Sequence, residues 1–409
     1  MQGDGEPMKI LIATIFPLPG GGIWSFVSNL HDGLVAKGHS VDIICSNSTN
    51  TQVLNLLKGN TIELLPYRPM IERKLRKSIP RLIEDPWVYH AEVNRYLFER
   101  GLAEHDLSQY DLIHCQDVLS AVSISRMKPA HIPMVTSIHG FLSGAIFHQI
   151  KATNPGKSDG DIWSSFVLQY YARLEKIGYD SSTSLHTSSR WMRGILLNQY
   201  SVPSYKIMTF NYGVPIEQFP AFPGERPSGK CTIVAISRLV YLKGLHHLLE
   251  SLEMLSPSLE WECLILGEGE MQERLAAQAR QLGIESKVSF LGNRNDVVQI
   301  LQKADVLVIP SLQENQPFAV IEAQMMGVPV IASNAGGLPE MVDHQGTGLI
   351  VEKGNSLQLS NALDLIIRHP AERDRMGQQA WKRSREKWGL PSLIENAGAF
   401  YQSAMNLNT

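Results

Sequence analysis

Short, uninterrupted apolar runs recur along the chain, and most are followed by a break and then by apolar residues at helical spacing. The run KILIA at residues 9–13 has no polar alternation, as is typical of a parallel strand buried on both faces. A helical stripe follows at 23–37, ended by Gly38, and a second apolar run fills 39–45. This order predicts a βαβ unit whose loop lies at the carboxyl end of the first strand.

The same alternation continues through the first half of the chain and starts again in the second half. Helices are clearest at 162–177 and 190–200. Further strands are predicted at residues 112–115, 133–139, 184–187 and 206–210, and then at 231–237, 262–266, 288–291, 306–310, 330–332 and 348–351. Strands that alternate with helices predict an α/β fold in which each half forms a Rossmann-like parallel sheet covered by helices.

A segment without periodicity separates the two halves. Residues 214–229 contain four prolines and two glycines, which is the composition of a linker. We therefore predict an N-terminal domain at 1–213, a linker at 214–229 and a C-terminal domain at 230–389. Residues 390–409 are amphipathic, so they are predicted to pack against another part of the protein as a helix.

Composition narrows the class of protein. A length of 409 residues favours two domains, and 44% apolar with 19% charged residues is typical of a folded soluble chain. The net charge of −3 gives no general attraction to nucleic acid, and no apolar run reaches the roughly 18 residues that a membrane-spanning helix needs. The N-terminus lacks the regions of a signal peptide. The four cysteines are scattered through predicted strands without metal-ligand spacing, so a cytoplasmic location is expected.

The segment 309–342 holds the first candidate chemistry. Glu314 and Glu322 stand eight residues apart, and a helix is predicted at 318–326, closed by Gly327. Unpaired N–H groups at a helix N-terminus carry partial positive charge. The segment therefore suits a phosphorylated sugar.

Two cations and a glycine cluster follow other predicted strand ends. Arg238 and Lys243 precede a predicted helix, where they suit a diphosphate, although an ordinary exposed pair has the same spacing. Gly20, Gly21 and Gly22 would let backbone amides approach a phosphate; a turn without a ligand is the alternative. The second strand ends without an acidic residue, which argues against a dinucleotide site.

Histidines end two of the predicted strands. His139 follows the run VTSI, where its side chain can point into the crevice in which parallel sheets bind ligands. His114 ends an equivalent strand. A structural histidine is the alternative for both, and the other histidines show no catalytic or metal-ligand spacing.

Taken in order, these segments resemble the retaining family 4 glycosyltransferases with the GT-B fold. Glu314 and Glu322 form the E-x7-E signature of that family. Matching motifs run through most of the chain: KILIATIFPLPGGG, HSVDIICS, DLIHCQD, VTSIHG and NYGVPIEQF in the first half, then SRLVYLKG, LILGEGE, VSFLGNR and SNAGGLPEMV in the second. The resemblance implies two Rossmann-like domains facing a cleft, with the final helix crossing back to the N-terminal domain.

The resemblance also implies a site for a nucleotide diphosphate sugar, with a UDP-sugar as the expected donor. Arg238 and Lys243 would hold the diphosphate, and Glu322 would hold the ribose hydroxyls. Glu314 and His139 would contact the donor sugar. Other donor contacts would come from Gly20, Gly21 and Gly22, from Gly292, Asn293 and Arg294 beside the base, and from Asn315, Gln316, Phe318, Ala319 and Val320 after the first glutamate.

Pro317 departs from the family pattern, in which glycine is common at this position. Proline has no N–H to offer a sugar, but it fixes a helix entry as a first helical residue would, leaving Phe318 and Ala319 as donors. Arg238 and Lys243 would stabilise the leaving diphosphate without a metal. The Asp-x-Asp at 159–161 is predicted to open a helix instead, so no metal and no cofactor are expected.

The expected reaction moves a hexose to an acceptor hydroxyl with retention, giving an α-glycoside. A nucleotide-sugar epimerase, a sugar phosphorylase and a non-catalytic nucleotide-sugar-binding module are the alternatives. The acceptor stays open between a small molecule, a lipid-linked sugar and a polysaccharide, and no oligomeric state is predicted. Residues 67–81 carry six basic residues against one acidic residue, which would attract an anionic acceptor or a membrane surface; a solvated helix face is the alternative.

Overall fold

Two β-sheets, one in each half of the chain, organise the computed structural model, which describes residues 6–220, 222 and 229–408. Of the predicted linker, residues 221 and 223–228 lie outside the described residues, as do residues 1–5 and 409 of the predicted terminal segments. The N-terminal sheet consists of β1 (Lys9–Thr14), β2 (Ser40–Ser46), β3 (Gln52–Asn55), β4 (Thr61–Glu63), β5 (Leu112–Cys115), β6 (Met134–Ile138), β7 (Ser184–Thr187) and β8 (Ile207–Thr209). The C-terminal sheet consists of β9 (Cys231–Ile236), β10 (Trp261–Leu266), β11 (Val288–Gly292), β12 (Val306–Ile309), β13 (Val330–Ser333) and β14 (Gly348–Val351).

Helices cover both faces of each sheet. In the N-terminal half they are α1 (Gly21–Ala36), α2 (Arg68–Ser78), α3 (Pro86–Leu102), α4 (Val118–Ser125), α5 (Leu142–Thr153), α6 (Asp159–Trp163), α7 (Phe166–Ser181) and α8 (Arg190–Asn198). The C-terminal half has α9 (Leu245–Glu253), α10 (Gln272–Gln281), α11 (Val297–Lys303), α12 (Phe318–Met325), α13 (Leu338–Met341), α14 (Ser356–Arg368), α15 (Pro370–Lys387) and α16 (Leu390–Asn408). Within the described chain, each helix is too short or too polar to cross a bilayer.

Strand order locates the crevice of each sheet. The N-terminal sheet runs β4-β3-β2-β1-β5-β6-β7-β8, and the C-terminal sheet runs β11-β10-β9-β12-β13-β14. The direction of the order reverses beside β1 in the first sheet and beside β9 in the second. In parallel α/β sheets, the crevice for a ligand opens at the carboxyl ends of the strands at such a reversal. The loops after β1, β9 and β12 are therefore the structural candidates for a site.

The predicted parallel sheets are confirmed, and the N-terminal one has an extension that was not predicted. There β3 runs antiparallel to β2, and β4 runs antiparallel to β3. Both are short strands near the edge. In β3 buried and partly exposed residues alternate, and β4 is mostly exposed, so neither carries the continuous apolar run that marks a buried parallel strand. The helix predicted at 162–177 is divided between two helices. Its first two residues belong to α6, and α7 begins at Phe166 after its N-cap, Ser165. The Asp-x-Asp does open a helix, α6, as predicted.

The final helix, α16, returns to the N-terminal half, as the predicted fold requires. It packs against α1, β6 and β7, and its Tyr401 is fully buried. A Cβ at Gly33 of α1 would lie 2.2 Å from Cδ1 of Ile394, so glycine permits this close helix contact. The hydroxyl of Tyr401 meets Nδ1 of His114 at 2.8 Å, and Nε2 of His114 meets the Ser137 hydroxyl at 2.7 Å. His114 is therefore a buried structural residue.

Candidate functional site

The loop after β12 joins the two halves through the side chain of Asn315. This amide is buried, and its Nδ2 donates to the carbonyl oxygens of Ile138 and His139 at 3.3 and 3.2 Å. Its Oδ1 accepts a hydrogen bond from the Ser189 hydroxyl. Asn315 was predicted to touch the donor, but its side chain is used in this contact between the halves. Only its backbone is left for the predicted donor contact.

Gln316 makes a second amide contact of the same kind. Its Nε2 donates to the Ser188 carbonyl at 3.2 Å and to Oδ1 of Asn211 at 2.9 Å. Its Oε1 accepts from the backbone N–H of Tyr212 at 2.6 Å. Buried amides with all these partners position one half of the molecule on the other. The donor contact predicted for Gln316 therefore also falls to its backbone.

Glu314, the first glutamate of the signature, forms an ion pair across the C-terminal crevice. Its Oε2 contacts Nζ of Lys243, and the two side chains are only 15% and 14% exposed. Gly244, at φ 67°, makes the approach possible, because a Cβ there would lie 2.1 Å from the carbonyl oxygen of Pro310. Lys243 is thus not one of two equivalent exposed cations. Arg238, by contrast, is exposed, and within the described residues it has no carboxylate partner.

The Gly336-Gly337 turn packs against the backbone carbonyl of Glu314. The N–H of Gly337 donates to the Glu314 carbonyl at 3.0 Å. A Cβ at Gly336, which has φ 60°, would lie 1.8 Å from that same oxygen. The sequence showed this glycine pair only as a family motif. In the structure it supports the glutamate directly.

Replacing Gly336 with alanine is expected to destabilise the protein by about 1–3 kcal/mol more than Gly59→Ala, because overpacking adds to backbone strain. Gly59 is the matched control, since its φ of 70° is similar but a Cβ there would meet nothing within 4 Å. Chemical denaturation of both variants measures the difference. Equal free energies of unfolding would contradict the close contact.

Helix α12 begins beside this ion pair. Pro317 is the N-cap of α12, with φ −72° and ψ 133°, and Phe318 is the first helical residue. From the sequence, Pro317 was compared with a first helical residue, which is one position later. The ring of Phe318 stacks on Tyr212, with centroids 5.2 Å apart and planes 11° from parallel. Val320 is fully buried, and its N–H donates to the Pro317 carbonyl at 3.1 Å. The N–H groups of Phe318 and Ala319 have no intrahelical acceptor.

Glu322 lies one turn further along α12, on the same face as Phe318. Phe318 approaches Gly22 of the N-terminal half, so this face of the helix looks across the crevice. Burial raises the pKa of the Glu322 carboxyl to about 7. In the part of the chain that the structure describes, this carboxyl has no hydrogen bond and no ion pair. It is therefore a partly buried acid whose oxygens are available to a ligand.

His139 lies on the N-terminal side of the crevice. Its Nδ1 meets the Tyr212 hydroxyl at 2.5 Å, and its Nε2 meets Oε1 of Gln116 at 3.0 Å. Burial, and then the neighbouring His186, lower the pKa of His139 to about 3, so the ring is neutral. With Oε1 of Gln116 facing the ring, Nε2 carries the proton. Gln116 was not predicted as a site residue, although it precedes an acid in the motif DLIHCQD.

Gly20, Gly21 and Gly22 form the start of α1, with Gly20 as its N-cap. A Cβ at Gly20 or Gly21 would meet nothing within 4 Å, so these two glycines border open space. Gly21 has φ 66°, a conformation that other residues rarely adopt. A helix N-terminus with a glycine loop and free space beside it suits an anionic group, and the phosphate contact of these glycines stays a prediction.

The predicted base-binding residues lie at the far side of the C-terminal crevice. Gly292 has φ 65° and ends β11, and its carbonyl accepts from Gly267 N–H at 2.8 Å. Asn293 and Arg294 are exposed. Arg294 forms a surface ion pair with Asp296, from Nε to Oδ1 at 2.7 Å and from Nη2 to Oδ2 at 2.6 Å. Among the residues described, no group of three or more His, Cys, Asp or Glu side chains is arranged to hold a metal ion.

Comparisons with known proteins agree with this architecture. The model of the family "Glycosyltransferase Family 4" matches residues 20–218, and that of "Glycosyl transferases group 1" matches residues 218–383. An uncharacterized glycosyltransferase of Methanocaldococcus jannaschii is 26% identical over 98% of this chain and 99% of its own. The structure of sucrose-phosphate synthase from Thermosynechococcus elongatus superposes with a TM-score of 0.72 at 18% identity, covering 98% of this chain and 99% of that one. Anabaena HepE, in complex with UDP and glucose, gives 0.68 at 18% identity, with coverages of 97% and 100%.

Proposed function

This chain belongs to the family 4 glycosyltransferases, which have the GT-B fold, and from that premise we propose that it moves a hexose from a UDP-sugar to an acceptor hydroxyl with retention, giving an α-glycoside. Glycosyltransferase activity follows from the family. The donor, the stereochemistry and the roles of individual residues are our proposal.

Glu322 is the observation that carries the proposal. Its side chain is partly buried in the crevice wall, and within the described residues no protein group satisfies its carboxylate oxygens, which leaves them to water or to a bound ligand. The two vicinal hydroxyls of a ribose are donors of the right number for one carboxylate. We assign the ribose of the donor to Glu322 on this ground. The family signature, in which Glu322 is the second glutamate, supports the same role.

The remaining donor contacts follow from strand order. Glu314 follows β12 and Gly292 ends β11, and β9 and β10 lie between these two strands. At about 4.8 Å per strand, the separation is about 14 Å, which suits an extended nucleotide diphosphate sugar. The sugar would then lie at Glu314, the diphosphate beside Arg238 and Lys243 after β9, and the base near Gly292. The HepE structure holds UDP and glucose, which supports a UDP-sugar as donor.

The reaction we propose is a front-face displacement. The bond from the anomeric carbon to the diphosphate oxygen breaks, and Arg238 and Lys243 stabilise the negative charge that develops on the leaving group. The acceptor oxygen bonds to the anomeric carbon on the same face, and its proton passes to an oxygen of the leaving phosphate. His139 is neutral, so it does not repel the positive anomeric carbon, and its Nε2–H could serve the sugar only in place of Oε1 of Gln116. Metal independence is part of this proposal.

Thermal shift of the purified protein with UDP-, GDP- and ADP-sugars tests the donor. We expect the UDP-sugar to raise the midpoint most, and excess chelator to leave the shift unchanged. NMR of the glycoside product then reads the anomeric configuration. A β-linked product from an α-linked donor would refute retention. An altered donor sugar, or release of sugar to inorganic phosphate, would point to an epimerase or a phosphorylase instead.

We also propose that the protein works in the cytoplasm, against an anionic membrane surface. Cys45, Cys115, Cys231 and Cys263 are buried and form no disulfide in the described chain, as is typical of a reducing compartment. The membrane contact rests on α2 and the turn after it. Its inner side is anchored by the buried Ile71 and Leu75, while its outer side combines exposed aliphatic residues and exposed cations: Met70, Ile79, Ile83, Arg73, Lys74, Lys77 and Arg81. Within the described chain these four cations have no carboxylate partner, and such a surface attracts anionic lipid.

The variant Arg73→Glu/Lys77→Glu is expected to partition at least about thirtyfold more weakly onto vesicles containing anionic phosphatidylglycerol, because each of the two basic residues lost contributes about 1 kcal/mol near such a surface. The matched control is Arg280→Glu/Lys303→Glu, which reverses two exposed cations of the C-terminal half. Co-sedimentation with anionic and with purely zwitterionic vesicles measures the effect. Equal loss in both variants, or binding to zwitterionic vesicles alone, would refute the assignment to α2.

A further inference from the structure

A recess of about 320 Å³ opens between the two halves, next to the candidate donor site. Its N-terminal wall comes from α5, α6 and α8, and its C-terminal wall comes from the loops after β12, β13 and β14. Gln313, which precedes Glu314, lines it, and so does Gly336, which packs against the Glu314 carbonyl. The recess therefore begins one residue from the proposed position of the donor sugar. None of the donor contacts described above uses it.

Four of the nine residues in the N-terminal wall are Phe or Trp. Trp163 stacks on Phe147, with centroids 5.1 Å apart and planes 17° from parallel, and on Phe141 at 6.2 Å and 19°. Trp191 completes the wall. Trp163 remains 38% exposed, although a ring of this size is normally covered in a folded protein. A flat aromatic surface beside a few polar groups is suited to the C–H face of a pyranose ring.

The polar rim of the recess is positive. Lys353 is exposed there, and among the described residues it has no carboxylate partner. Burial, and then the charge of Lys353, lower the pKa of His148 to about 4, so this histidine is neutral. Asp159, the acid at the rim, is already paired with Lys151 at 2.9 Å. A ligand that carries an anionic group would find one cation and no competing free carboxylate.

We propose that this recess is the acceptor subsite, and that the acceptor is a saccharide with an anionic substituent. Its ring stacks on Trp163 while its anionic group meets Lys353. This inference rests on the proposed function, because it needs a donor sugar at Glu314. The sequence left a small molecule, a lipid-linked sugar and a polysaccharide as possible acceptors. The proposal retains only those members of each class that carry an anionic sugar ring.

Saturation-transfer NMR of the UDP-loaded protein tests the subsite with two probes, methyl α-D-glucopyranoside and its 6-carboxylate analogue. We expect both probes to bind, the carboxylate analogue about tenfold more tightly, because a charge-assisted contact contributes about 1.5 kcal/mol or more. Trp163→Ala should weaken both probes by about tenfold, since that is the scale of an aromatic stacking contact. Lys353→Gln should remove only the preference for the carboxylate. The control is Phe166→Ala, an exposed aromatic three residues from Trp163 that does not line the recess.

Three outcomes would overturn the subsite: no binding of either probe, unchanged binding by Trp163→Ala, or equal loss in Phe166→Ala. Equal affinity for the two probes in the wild type would overturn the anionic part. The thermal shift caused by UDP should be the same in Trp163→Ala as in the wild type. A wild-type protein that binds no nucleotide sugar would instead remove the proposed function itself, which distinguishes the two failures.

Discussion

Exchanging Lys243 for alanine is expected to lower kcat/KM for glycosyl transfer by about 10²–10³-fold, the usual cost of removing one preorganised charge from a developing anion. Glu314→Gln should lower it by a similar factor. Both expectations rest on the contact between Lys243 Nζ and Glu314 Oε2, in which each side chain is less than one-sixth exposed. Removal of either partner leaves the charge of the other unpaired beside the proposed diphosphate and sugar, and its side chain is no longer held in position.

The double variant sharpens the test. Because the two residues act as a pair, Lys243→Ala/Glu314→Gln should lose far less than the product of the two single losses. The ion pair of Lys230 and Glu262, at 2.9 Å and at the opposite end of β9 and β10, is the control. Lys230→Ala and Glu262→Gln should leave kcat/KM within about twofold of the wild type, as expected for an exposed pair. A folded Lys243→Ala enzyme with unchanged kcat/KM would rule out the role of the lysine.

Most of the strands that position the site were predictable because they are buried on both faces. β5, β7 and β14 have the predicted bounds, and most other predicted strands end within one or two residues of the observed ones. Continuous apolar runs mark such strands whatever surrounds them. The strands β3 and β4 lie toward the edge and are partly exposed, so their composition did not distinguish them from a loop. The partly exposed β8 and β11 were still predicted, because each keeps a short apolar run, which β4 lacks.

The partners of the site residues were less predictable, because they are distant in sequence. Lys243 and Glu314 are 71 residues apart, and Asn315 reaches the carbonyl of Ile138 across 177 residues. A motif shows that a polar residue is present but not what it touches. Gln316 and Asn315 were therefore assigned to the donor, whereas their side chains connect the two halves. An uncharged amide at the end of a buried strand is the signal that could have suggested such a contact.

Glu340 shows the same effect in a residue that the sequence left out. Its carboxylate accepts the backbone N–H groups of Arg190 and Trp191, both at 2.9 Å. These groups open α8 in the other half of the chain, so the acid caps a helix some 150 residues away and stabilises its N-terminus. Together with Asn315 and Gln316, this contact fixes how the crevices of the two sheets meet.

Changing Glu322 to alanine is expected to weaken binding of UDP by about 10²-fold, since two charge-assisted hydrogen bonds contribute about 1.5–3 kcal/mol each before desolvation is subtracted. Glu322→Gln keeps the shape and should lose about tenfold. Isothermal titration of UDP into each variant measures these losses. Glu250→Gln is the control, since its carboxylate pairs with His247 and Ser356 on another helix and should leave UDP affinity unchanged.

The pH dependence identifies the Glu322 carboxyl itself. Its pKa is raised from the model-compound value to about 7 in the free protein, so near pH 6 most of it is protonated. Ribose hydroxyls donate to the carboxylate form, so binding lowers this pKa and releases a proton below pH 7. UDP affinity should therefore rise from pH 5.5 to about 7.5 in the wild type.

Folding stability without ligand should change in the opposite direction. The unfolded chain loses this proton near its ordinary pKa of about 4.3, so the contribution of Glu322 to folding stability falls as pH rises from there to about 7. The stability trend should be absent in Glu322→Gln. The terminal phosphate of UDP also titrates at about pH 6 in both proteins, so the affinity trend should be smaller in the variant, and equal affinity trends would assign the titration to another group.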